Sequence, residues 1–190
     1  MKSMKLTVAF IASALVVLGL TIIFIAYSPH LQPIGVEQVD SALSGVWLRE
    51  NNESFRFSVL ANSAVQIIYF NGSVQTIPPN YKNEIGGLQD FGPGIIDRGG
   101  FIESFKEANS VASLTLVVLK VNNTEANLFI TSLNTTPTTI RLQDYKGYLF
   151  SIEGNSLTAV YNHKYIIYII WVGVNTTQQQ LMKLLSYLAS

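Results

Sequence analysis

Residues 6–27 (LTVAFIASALVVLGLTIIFIAY) run for 22 positions without a charge, directly after Lys2 and Lys5. As a helix this run would be about 33 Å long, enough for a hydrocarbon core about 30 Å thick. It divides the chain into a membrane segment and a remainder that folds on one side of it. Signal h-regions span roughly 7–15 apolar residues and end at a small-residue cleavage site. This run is longer and ends at Ile25, Ala26 and Tyr27, with Pro29 close behind. We read it as a retained signal-anchor, with cleavage as the alternative. Lys2 and Lys5 hold the 1–5 tail in the cytoplasm, giving a single-pass cell-membrane protein with its bulk extracytoplasmic.

Beyond the anchor remain ten basic and twelve acidic residues, a net charge of −2. A weakly acidic domain lacks the basic patch that phosphate neutralisation demands, so no nucleic-acid partner is expected. Five N-x-S/T sequons, at Asn52, Asn71, Asn122, Asn134 and Asn175, fall where turns or element ends are expected, which makes them glycosylation candidates. There is no cysteine, which removes thiolate nucleophiles, disulfides and cysteine metal sites. A domain of about 150 residues can bury enough core to fold without such cross-links.

Only 13% of residues are charged, against about 25% in ordinary soluble proteins. Tyr, Ile, Val, Asn, Ser and Thr take their place. With the sequons and the missing cysteines, this composition resembles exported, membrane-anchored surface proteins of thermoacidophilic archaea. The resemblance implies an acidic exterior, where many carboxylates would be protonated, and it implies no particular activity.

Residues 28–35 (SPHLQPIG) read as a short stiff stalk, and residues 36–190 as an α+β domain of mainly antiparallel sheet with helices packed on one face. Val36, Val39 and Leu43 have helical spacing, and residues 47–49, 54–60, 65–70 and 73–77 read as strands, the last two joined at Asn71-Gly72. Pro78–Gly100 is a glycine- and proline-rich loop. Phe101, Phe105 and Ala108 suggest a short helix over 101–109. Residues 113–121 read as a central strand, followed by a helix with Ala126, Phe129, Ile130 and Leu133 on its buried face. Thr135–Thr139 reads as a turn. Strands at 142–153, 156–161 and 164–172 and a leucine-faced helix at 176–189 complete the chain.

Residues that carry chemistry are sparse. The two histidines, His30 in the stalk and His163 in an expected hairpin turn, are poorly placed to meet, and no G-x-S-x-G elbow occurs. Asp90 and Asp97, with Glu84 and Glu103 around them, are the remaining option for paired-carboxylate hydrolysis. No catalytic residue, cofactor or metal is assigned. Phe91, Ile95, Ile96, Asp97, Arg98 and Phe101, in and after the long loop, are candidate contacts with a protein partner. Tyr165–Trp171 (YIIYIIW) reads as a core strand, with an edge for strand addition as its functional alternative. Trp171 with Tyr145, Tyr148, Tyr161, Tyr165 and Tyr168 could line a sugar site. The expected function is therefore that of a non-catalytic, membrane-anchored extracytoplasmic domain acting through protein contacts, in a membrane complex or the cell envelope. The alternative is a small-ligand or glycan-binding domain, and behind it a carboxylate-dependent hydrolase.

Overall fold

Tyr165–Val172 carries branched and aromatic side chains on both of its sides, the pattern of a strand with neighbours left and right and layers above and below. The computed structural model places it so. It describes residues 31–84, 98–132, 138–142, 145–152, 156–161, 163–174 and 176–189. Leu31–Ser190 form one compact unit, to which all that follows refers. The expected anchor, residues 6–27, lies outside the described residues; among the described residues no helix is long and apolar enough to cross a membrane.

The elements run α1 (Val36–Leu43), β1 (Trp47–Arg49), β2 (Phe55–Val59), β3 (Val65–Tyr69), β4 (Val74–Ile77), a 3-10 turn (Pro79–Glu84), β5 (Gly100–Glu107), β6 (Ser113–Lys120), α2 (Asn123–Ser132), β7 (Thr138–Leu142), β8 (Tyr145–Ile152), β9 (Ser156–Tyr161), β10 (Tyr165–Val172) and α3 (Gln178–Leu188). The ten strands form one sheet, ordered β4-β3-β2-β5-β6-β10-β9-β8-β7, with β1 also paired to β5. The pairings are antiparallel. The domain is α+β with an antiparallel sheet, as the sequence implied, and has three α-helices among the described residues, where the sequence suggested four.

Alternation sorts the core into two layers. On the first face, Phe101 and Phe105 of β5, Leu114, Leu116 and Val118 of β6 and Ile167, Ile169 and Trp171 of β10 pack under α1 and α3. The leucines 181, 184, 185 and 188 of α3 are all buried there. Thr177 caps this helix, its hydroxyl accepting from the Gln180 amide at 3.3 Å. On the second face, Phe55, Phe57, Ile67, Ile102, Val117 and Leu119 form a separate cluster. Ala126 of α2 packs there too, against Val121, Val160 and Ile166. The helices therefore lie on both faces and not on one. The cause is α2, which follows central β6 and turns its small apolar residue Ala126 inward onto the second face. Asn122 and Glu125 cap α2 reciprocally, at 2.7 and 2.8 Å.

Two other expectations need correcting. Phe101–Asn109 is not a helix but strand β5 and its turn, because Phe101 and Phe105 share a strand face as readily as a helix face. Tyr165–Trp171 is the core strand that the sequence suggested: β10 pairs with β6 on one side and β9 on the other, which closes the alternative of strand addition there. β7 starts at Thr138, inside the Thr135–Thr139 segment whose residues suggest a turn.

The entry to β5 depends on paired glycines. Gly99 has φ +87°, and a Cβ there would lie 2.7 Å from the Phe57 carbonyl oxygen; one on Gly100 would overlap the Val118 carbonyl. Gly100→Ala is expected to force β5 from β6 and to cost about 1–3 kcal/mol. Urea denaturation measures this, and an unchanged midpoint would show that the strands part freely.

Candidate functional site

The loop residues Phe91, Ile95, Ile96 and Asp97, and with them Asp90, lie outside the described residues, as do His30, Asn134 and Asn175. Arg98 is exposed and pairs with Glu125 at 3.2 Å. Phe101 is no loop contact: it is buried on the first face of the sheet. Asn52 and Asn71 are exposed, and the Asn71 amide donates to Asn52 Oδ1 at 2.8 Å. Asn122 is half-buried by its capping role. His163 occupies the β9–β10 turn with φ +53°. Of the tyrosines whose side chains are described, Tyr165 is buried on the first face and Tyr168 lies half-buried on the second. The side chains of Tyr145, Tyr148, Tyr161 and Glu84 are outside the described set. Among the described residues no three metal-ligating side chains come together.

Glu103 is the acid that the sequence could not place. Strand alternation turns it into the first-face core, where its side chain is 0% exposed. Arg49 meets one carboxylate oxygen at 2.7 Å, and the Ile34 amide donates to the other at 2.9 Å. Arg49 also donates to the Ile34 carbonyl and lies 4.3 Å above the Phe70 ring. Burial still outweighs these partners: it pushes the Glu103 carboxyl from 4.5 up to about 7, against the pull of the Ile34 amide, Arg49 and Arg56.

This cluster fastens Leu31–Gly35 to the sheet. Leu31 and Ile34 are buried, the Gln32 amide donates to the Leu188 carbonyl at 3.0 Å, and Tyr165 hydrogen-bonds with the Leu31 backbone. Desolvation raises the Tyr165 phenol above its ordinary value. The second half of the segment read as a stalk is thus a strap across the domain.

Beside the strap lies a recess of about 390 Å³. Phe101 and Val118 line it, Leu31–Pro33 form one wall, and Arg56, Lys120 and Tyr165 supply its polar groups. The sheet order assembles it. Arg56 is paired across to Phe101, Phe101 to Val118, and Lys120 to Tyr165. Arg56 and Lys120 are therefore about 10 Å apart across two strand spacings and about 7 Å along the strands, with Phe101 and Val118 between them. Neither cation forms an ion pair with a described residue. Sequence reasoning missed both, because each is an ordinary polar position in its own strand.

At the opposite end of the sheet, the second face carries an apolar fringe. Ile170 and Val172 of β10 and Leu48 of β1 are exposed, with Val46 before β1, and Val111 in the β5–β6 turn is 91% exposed. No protein-family model, curated protein or solved structure matches the chain.

Proposed function

We propose that this is a membrane-anchored extracytoplasmic domain that acts through protein contacts and not through catalysis, as an accessory subunit of a membrane complex or a cell-envelope component. The observation that carries the reading is the fringe of Val46, Leu48, Val111, Ile170 and Val172. Val172 and Leu48 share one cross-strand row, through Lys106 and Ser113. Exposed apolar side chains gathered at one end of a sheet are the mark of a contact surface. The uncharged run at 6–27 supports the membrane location, and the exposed sequons at Asn52 and Asn71 support an exterior one.

The test uses full-length protein in its native membranes, with a photoreactive side chain at Val111 and the intact mass measured after extraction. A retained N-terminus and one specific cross-linked neighbour are expected, with the cross-link lost in Val172→Lys. A cleaved, monomeric species without a neighbour would remove the reading.

A further inference from the structure

We propose that the recess between the Leu31–Pro33 strap and the sheet binds a small organic anion, a carboxylate or phosphate ester with an apolar body, held by Arg56 and Lys120. This inference does not depend on the protein-contact reading, since the recess and the fringe lie on opposite faces and at opposite ends of the sheet.

Charge is the first argument. Arg56 and Lys120 lie at this end of the first face, and Glu103, farther along β5, has Arg49 against it. Arg49 already satisfies Glu103 at 2.7 Å. Arg56 lies over the Phe70 ring at 5.7 Å and adds only a longer-range pull on Glu103, and neither it nor Lys120 forms an ion pair with a described acid. In a chain with only 12 basic residues and no net charge, such a local excess is not a consequence of composition. Both head groups are exposed, so they meet an incoming anion without first being desolvated.

Shape and lining are the second. The volume, about 390 Å³, falls at the small end of ordinary ligand pockets. Its lining is amphipathic: an aromatic ring and a branched side chain between two cations, with a phenol to one side. Arg56 offers a planar fork that matches a carboxylate or phosphate, and Lys120 a point charge. The separation of their strand positions fits an anion drawn between two long side chains, its apolar body entering the recess beside the Leu31–Pro33 strap. Nothing in this arrangement attacks or protonates a substrate, so the chemistry is binding.

Isothermal titration of the full chain in neutral detergent tests this with phenyl phosphate, benzoate, the neutral benzyl alcohol, and dihexanoyl phosphatidic acid as the lipid form of the same charge. Saturable binding of phenyl phosphate or benzoate is expected, with none for benzyl alcohol. Arg56→Gln and Lys120→Gln should each weaken it about tenfold, and added salt should weaken it further. Lys106→Gln, at the far end of the sheet, should leave it unchanged. If phosphatidic acid alone binds, with the same dependence on Arg56 and Lys120, the site stands and its source is a lipid headgroup. The proposal is overturned if no anion saturates by about 10 mM, or if Lys106→Gln weakens binding as much as the other two.

Discussion

Arg49→Met is expected to lose about 2 kcal/mol of stability at pH 8 and only about 1 kcal/mol at pH 4. The variant leaves Glu103 with the Ile34 amide as its remaining strong donor, so the buried carboxyl keeps its proton at pH 8 and forfeits the ionisation that Arg49 supports in the wild type. At pH 4 the wild-type carboxyl is protonated as well, and that part of the cost disappears. What persists is the lost hydrogen bond to the Ile34 carbonyl and the lost stacking on Phe70. The wild-type chain has its own slope. Because the folded pKa of Glu103 lies at about 7 and the unfolded value at 4.5, the folded state holds a proton that the unfolded chain has released. Stability from this group is thus fully present below pH 4.5, declines as pH rises to 7, and is flat above it. The full swing is roughly 3 kcal/mol. Glu103→Gln should lose this slope. Urea denaturation from pH 4 to 8 reads all three proteins, and an Arg49→Met penalty equal at both ends would sink the account.

The same residue shows how far the sequence could be read. In FIESFKE, Phe101 and Phe105 are four apart, which fits a helix, and also two alternate steps apart, which fits a strand. The helix reading avoids burying Glu103, so local pattern favours it. The strand is realised because Arg49 and the Ile34 amide, far away in sequence, meet the carboxylate. Where burial and period agree, as in Leu114–Leu119 of β6 or the leucines of α3, the elements were legible. Where a segment is threonine-rich, as at the start of β7, the strand was hidden by residues that suit turns equally. The recess was harder still. Arg56, Lys120 and Tyr165 come from three strands, and their meeting depends on β5 inserting between β2 and β6 and on β10 closing against β6. Local periodicity carries no information about strand order, so no inspection of those residues singly could have joined them.

A chain beginning at Val36, the domain start suggested by sequence, is expected to be less stable than one beginning at Leu31 by on the order of 5 kcal/mol. Leu31 and Ile34 are 6% and 1% exposed, and burying an aliphatic side chain of that size contributes about 1.5–3 kcal/mol. Their removal opens the first-face core between α1, α3 and the sheet, where both belong to one cluster with Trp47 and Leu188. It also strips Glu103 of the Ile34 amide and leaves the Leu188 carbonyl without the Gln32 amide. Small domains are stable by only about 5–15 kcal/mol, so the shorter chain should sit near its unfolding midpoint at room temperature. Thermal unfolding of the two chains side by side decides it, and equal midpoints would show that the strap rests on the sheet without holding it. The outcome also bears on the fate of residues 6–27. If the strap is structural, any processing event that releases a stable domain must cut before Leu31. A cut farther on would discharge a chain that had lost part of its core, and with it one wall of the recess that Arg56 and Lys120 face.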